Sequence, residues 1–304
     1  MMLQMYQVKR NSHSEFVPIR TLKYRVQVWG KPDADTIPLV LLHGWMDVAA
    51  SYQFVVDALR HDRYIIAPDW RGYGQTPSNG VDNYWFPDYL ADLDFLLDHY
   101  APQGQVNLLG HSMGGNVAML YAGVRPQRVR RLINLEGFGM PATQADQAPK
   151  RYARWMDELK QFGRGELDLK TYDNAAGVAR RLMKTNPRLG ADKANWLAQH
   201  WAAQDAEGRW KILGDPAHKI SNAQLYRVDE VQAIYRQLSM PVLMVEASDN
   251  SLDQWWQGKF TLAQFHERLK VVPQVEIARI ENAGHMLHHD QPGGLAALIE
   301  RFID

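Results

Sequence analysis

The chain has 304 residues, enough to bury a large core in one or two domains. Its 34 Lys and Arg balance 34 Asp and Glu, so nothing in the charge favours nucleic acid or an anionic membrane as a partner. The lack of cysteine excludes disulfides, a thiol nucleophile and cysteine metal sites.

In chain order, residues 16–20 and 22–29 read as a leading antiparallel pair. Residues 37–42, Ile-Pro-Leu-Val-Leu-Leu, are apolar nearly throughout, as a strand buried on both faces should be. A helix is expected over 51–59 and another buried strand over 64–67. Residues 89–99 carry Leu90, Leu93, Leu96 and Leu97 at helical spacing. Strands follow at 106–109, 131–135, 241–245 and 275–280, and a closing helix at 294–302. This alternation predicts an α/β fold with a mostly parallel sheet.

Between 141 and 240 the pattern changes. Helical stretches at 150–162, 174–184 and 191–204, with tryptophans at 155, 196, 201 and 210, replace buried strands. The segment is too long and too periodic for a loop. It reads as a helical cap inserted into a core made of residues 1–140 and 241–304. No apolar run approaches the ~20 residues of a membrane span. The first ten residues lack the order of a signal peptide, so a cytoplasmic location is expected.

The most informative local feature is Gly110-His111-Ser112-Met113-Gly114, set between the apolar stretch 106–109 and the helical stretch 115–122. A serine on a sharp strand-to-helix turn is lifted clear of the backbone and faces a helix N-terminus, which suits a nucleophile. Such a turn tolerates only small neighbours, supplied by Gly110, Gly114 and Gly115. A serine hydroxyl needs a base, and His285 is the candidate in Ala283-Gly284-His285-Met286. His288 and His289 are rivals without the preceding glycine.

Three further motifs accompany Gly110–Gly115 in a fixed order: Leu42-His43-Gly44-Trp45, the turn from Pro68 through Asp69-Trp70-Arg71-Gly72-Tyr73-Gly74 to Thr76, and Gly284-His285 through Pro292. Together they resemble the α/β-hydrolase superfamily, in particular its single-chain serine members with a helical cap. The resemblance covers 37–140 and 241–303. It implies an α/β-hydrolase fold with helices on both faces of the sheet, Ser112 as nucleophile and His285 as base. It also implies an oxyanion hole from the backbone N–H groups of Trp45 and Met113. His43 and His111 then read as structural, and Asp69 with Arg71 as a brace for the adjoining loop.

The acid is the less determined member. The usual turn after the strand 241–245 carries Asp249, one residue short of the family's common spacing, which falls on Asn250; Asp253 is more distant. Glu136, at the end of the strand 131–135, is the alternative, since some dehalogenases of the superfamily carry a glutamate there. Asp249 is the expected acid. Phe138, Met140, Trp255 and Trp256 stand near strand ends and suggest an apolar pocket, with Phe138, Met140 and Trp256 as its expected lining.

The function these expectations describe is hydrolysis of an ester or related acyl bond of a small apolar substrate through an acyl-enzyme, with no cofactor or metal. A thioesterase, a C–C bond hydrolase and a cofactor-free haloperoxidase share this fold and triad. A catalytically inactive ligand-binding member is the alternative from a different class. Neither nucleic acid nor membrane is expected as a partner.

Overall fold

The structure, a computed structural model, describes residues 5–33 and 36–304. Residues 1–4, part of the N-terminal stretch read above, lie outside the described residues. The chain opens with β1 (Ser12–Ile19) and β2 (Leu22–Trp29), an antiparallel pair, and continues into β3 (Leu39–Leu42). A 3₁₀ turn (Ala49–Tyr52) leads into α1 (Gln53–Val56), then β4 (Ile65–Pro68) and α2 (Pro87–Tyr100). Next come β5 (Val106–His111), α3 (Met113–Val124) and β6 (Val129–Leu135).

The segment that follows holds α4 (Ala148–Gly163), β7 (Thr171–Tyr172), α5 (Ala175–Thr185), α6 (Ala191–Trp201), β8 (Ala202–Gln204), β9 (Trp210–Ile212) and α7 (Val228–Tyr235). The chain then returns through β10 (Val242–Ala247), α8 (Ser251–Trp256), α9 (Leu262–Leu269), β11 (Val275–Ile280), α10 (Leu287–Asp290) and α11 (Pro292–Ile303).

Eight strands form one sheet in the order β1-β2-β4-β3-β5-β6-β10-β11. β2 meets β4 antiparallel, and from β4 to β11 each neighbouring pair is parallel. This is an α/β-hydrolase fold. The apolar runs of the central strands follow from burial on both faces, since successive side chains alternate sides. Val40, Leu42, Val242 and Met244 pack under α2, α3 and α7, whereas Leu39, Leu41, Leu243 and Val245 pack under α1 and α11.

The inserted segment departs from expectation in one respect. It is not purely helical: β7, β9 and β8 form a small antiparallel sheet, and the helix expected over 191–204 stops at Trp201. The strands are only two or three residues long, too short for an alternating pattern to register in the sequence. Its own apolar cluster, with Val178, Leu182, Leu197 and Trp201, is continuous with Val48, Ala50 and Phe54 of the core.

Candidate active site

Every candidate group follows the carboxyl end of a parallel strand, where open α/β sheets gather their ligands. Gly44 and Trp45 follow β3, Ser112 follows β5, Glu136 follows β6, Asp249 follows β10 and His285 follows β11. Ser112 has φ 52° and ψ −114°, a conformation an L-residue adopts only when its surroundings enforce it. Its N–H donates to the Leu135 carbonyl at 2.8 Å, and its carbonyl accepts the Asn116 N–H that begins α3.

The tightness of this turn explains its glycines. A Cβ at Gly110 would lie 2.1 Å from the Gly114 carbonyl oxygen, and one at Gly114 would lie 2.2 Å from that of Leu42. The loop after β3 presses on the same turn, because a Cβ built on Gly44 would stand 3.3 Å from Ser112 Cβ. Met113 is the first residue of α3, so its N–H belongs to a helix N-terminus, where partial positive charge gathers. Of the seven non-glycine residues with positive φ among the described residues, Met46, Ser112 and Glu136 lie around this site. Backbone strain concentrated in this way is a mark of function.

Ser112 and His285 line one cavity of about 580 Å³. Its walls are Trp45 and Met46 on one side, Leu182, Leu189, Leu197 and Trp201 of the inserted segment on another, and Trp255 on a third. Trp255 stands edge-on to His285 with ring centroids 4.2 Å apart. Trp201 Nε1–H donates to the Met46 carbonyl at 3.0 Å and so braces the loop that carries Trp45. Arg181, Lys184 and Arg188 stand at the rim. A shallower groove of about 430 Å³, between residues 72–78 and 203–216, contains neither Ser112 nor His285.

The carboxylate beside His285 is Glu136, not Asp249. Glu136 Oε2 lies 3.4 Å from His285 Nδ1, and its side chain is 1 % exposed. The same oxygen accepts the Ser251 hydroxyl at 2.5 Å, while Oε1 accepts the Ala247 N–H at 2.8 Å. Burial raises the Glu136 carboxyl above its usual range, and the Ser251 and Ala247 hydrogen bonds work against that rise. Asp249 is 38 % exposed and turns to Arg188, with Arg188 Nη1 2.8 Å from its Oδ2. The turn after β10 therefore contributes Ser251 to the site through Glu136. The physical reason is sheet adjacency: β6 lies beside β10, and the Glu136 N–H bonds the Val245 carbonyl, which brings the end of β6 under the turn.

Burial also pushes the His285 imidazole below its ordinary range, with the charge of Asp47 acting in the opposite sense. The ring is thus neutral near pH 7, the state a base needs. Its rivals sit elsewhere: His289 Nε2 lies 3.1 Å from Ser51 Oγ, and His288 is fully buried behind the site. His43 is structural, accepting the Trp70 N–H at 2.9 Å.

The expected pocket lining is also revised. Phe138 is core, packed edge-on against Phe265, Met140 is exposed, and Trp256 packs against the main apolar cluster; none of the three lines the cavity. Asp69 and Arg71 do not pair. Asp69 accepts the N–H groups of Ala49 and Gln75 and meets Arg25, whereas Arg71 forks onto Asp92 at 2.6 and 2.7 Å. Sequence reasoning missed Ser251, Arg188 and the bracing role of Trp201. None of them stands in a motif, and each is tied to the site by a partner more than fifty residues away.

The sequence profile described as alpha/beta hydrolase fold matches residues 37–292. The chain belongs to this family. Among similar proteins is a serine hydrolase-like protein of Danio rerio, 26% identical over 97% of this chain and 89% of its own length. Another is Esterase YbfF of Escherichia coli, 25% identical over 88% of this chain and 93% of its own. Among solved structures, a thioesterase domain from the curacin biosynthetic pathway superposes with a TM-score of 0.81 at 20% identity, covering 95% of this chain and 99% of that one. At that identity the likeness concerns the fold. Among the described residues, no helix is long and apolar enough to cross a membrane.

Proposed function

We propose that this α/β hydrolase cleaves an ester or related acyl bond of a small substrate with an apolar acyl group, through an acyl-enzyme on Ser112. The observation that carries the reading is the strained Ser112 sharing one cavity with His285, whose Nδ1 faces the buried Glu136. His285 Nε2 takes the Ser112 proton as Oγ attacks the carbonyl, then returns it to the leaving group. Glu136 accepts the Nδ1–H, which holds the ring in the tautomer that presents a bare Nε2, and it stabilises the imidazolium that forms. The 3.4 Å separation is long for this bond; such contacts tighten when substrate binds. The backbone N–H groups of Trp45 and Met113 receive the oxyanion, each worth roughly 2.7–4 kcal/mol. Water activated by His285 then releases the acid.

Residues 141–240 act as the cap in this reading, because Leu182, Leu189, Leu197 and Trp201 supply apolar walls. The likeness to an esterase and a thioesterase domain makes oxygen esters and thioesters the first substrates to try. The experiment is a panel of p-nitrophenyl esters and acyl thioesters of graded chain length, with a fluorophosphonate probe, on the wild type and Ser112→Ala. Labelling and turnover of short-chain substrates that vanish in Ser112→Ala are expected. An unlabelled wild type that turns over nothing in the panel would remove the proposal.

A further inference from the structure

In one wall of the cavity, and reaching behind it, lies a group of buried side chains that the hydrolytic reading does not use. Asp47, His111 and His288 each bring one oxygen or nitrogen to a common space, and these three atoms lie within 4.8 Å of one another. All three residues are almost wholly excluded from solvent, at 6 %, 2 % and 0 % exposed. Asp47 Oδ2, His111 Nδ1 and both ring nitrogens of His288 have no hydrogen-bond partner among the described residues. His288 Nε2 stands 3.8 Å from Asp47 Oδ2, too far for a hydrogen bond. Orphaned buried polar atoms are costly, roughly 1–3 kcal/mol each, so three that face one space call for an explanation.

The surrounding bonds fix what these atoms offer. His111 Nε2 lies 2.7 Å from the His285 carbonyl oxygen, which can only accept. Nε2 therefore carries the proton, and Nδ1 presents a bare lone pair to the space. A metal-binding imidazole is oriented in this way, with its second nitrogen donating to a backbone carbonyl. Asp47 is held similarly: Oδ1 accepts the Ser51 hydroxyl at 2.5 Å, leaving Oδ2 free. His288 is neutral in either tautomer with one bare nitrogen. In the Nδ1–H tautomer of His288, whose Nε2 is the nitrogen turned toward Asp47, two imidazole lone pairs and one carboxylate lone pair converge there.

We propose that Asp47, His111 and His288 form a binding site for a borderline divalent transition ion such as Zn²⁺. Two histidines and a carboxylate suit that class, and bond lengths of about 2.0–2.2 Å place neighbouring ligand atoms about 3.3–3.5 Å apart in a tetrahedral shell. Closing the present spacing takes a side-chain shift of roughly 1 Å. Entry is open, because Asp47 and His111 both line the cavity that holds Ser112. An ion held there restrains His111, the residue next to Ser112 and bonded to the backbone of His285. Metal occupancy and the hydrolytic site are thereby coupled.

The test uses the full chain, freed of metal by a chelator and titrated with Zn²⁺ against a chromophoric competitor at pH 7.5. One equivalent is expected on the wild type, retained in Ser112→Ala and in His285→Ala. Asp47→Asn and His288→Gln should each weaken it more than about a hundredfold, beyond the roughly 10–100-fold that losing an outer partner costs. No binding by the wild type would overturn the proposal, leaving a hydrogen-bonded cluster without metal affinity. Loss in His285→Ala with retention in Asp47→Asn would overturn it too, placing the ion on the hydrolytic pair. Should a variant fail to fold, X-ray absorption of the Zn²⁺-loaded wild type decides: two imidazoles and a carboxylate support the site, and a shell with fewer than two imidazoles refutes it.

Discussion

Replacing Glu136 with Gln isolates the charge behind His285, because the side chain keeps its length and shape. At 3.4 Å and an effective dielectric near 20, a carboxylate stabilises an imidazolium by about 5 kcal/mol, or between about 10³ and 10⁴ in rate. The tautomer matters as well. Glu136 now accepts from Ser251, Ala247 and His285. A Gln amide has one accepting oxygen and one donating nitrogen, so turning the nitrogen toward His285 forces Nδ1 to accept and leaves Nε2 protonated. Loss of the corresponding charge in Ser-His-Asp sites costs about 10⁴ in kcat, in agreement with the Coulomb figure. Asp249→Asn should cost less than about fivefold, since an exposed pair such as Asp249–Arg188 is worth roughly 0–1 kcal/mol. The assay is kcat on a short-chain p-nitrophenyl ester, with a thermal melt of each variant. Glu136→Gln also leaves one buried donor without an acceptor and should lower the midpoint by a few degrees, so rates are compared at 20 °C. A Glu136→Gln enzyme within tenfold of wild type, or a crippled Asp249→Asn, would refute the assignment.

Ser112→Ala and His285→Ala should each lower kcat by about 10⁴–10⁶, and the double variant should be little worse than either, because the pair acts as one unit; additive losses would separate them. The depressed His285 titration carries a sign: the neutral ring persists as pH falls below 6.5, so its NMR shifts should stay unchanged between pH 7.5 and 5.5. An ordinary imidazole would be about nine-tenths protonated at pH 5.5, and that outcome would deny the effect of burial. Trp201→Phe removes the N–H that braces the Met46 carbonyl, a loss of roughly 1 kcal/mol, and should lower kcat about fivefold with Ser112 still labelled by a fluorophosphonate. Gly114→Ala drives a Cβ to 2.2 Å from the Leu42 carbonyl oxygen and should destabilise by about 3 kcal/mol or more, whereas Gly163→Ala, with nothing within 4 Å, should melt like wild type.

Much of the fold is legible in the residues themselves. Runs such as Leu39–Leu42 and Val242–Ala247 announce strands buried on both faces, and Leu93, Leu96 and Leu97 announce the buried face of a helix. The glycines around Ser112 announce the turn, because only they fit where Cβ atoms would meet backbone at close to 2 Å. These are local constraints, written over a few consecutive positions by the side-chain period or by sterics.

What the sequence by itself determined is therefore the α/β alternation and the strand-to-helix turn at Ser112. Only the tertiary structure decided which carboxylate meets His285, which side chains wall the cavity, and that Asp47, His111 and His288 converge. The reason is the reach of the interactions. Glu136 and His285 are 149 positions apart, and Trp201 and Met46 are 155 apart. Glu136 and Asp249 both end parallel strands, and from local pattern the two are equivalent. The pairing of β6 with β10 breaks that equivalence: it buries Glu136 between Ala247 and Ser251 and leaves Asp249 outside with Arg188. Strand order in a sheet is set by the packing of the whole core, which no short window of residues contains.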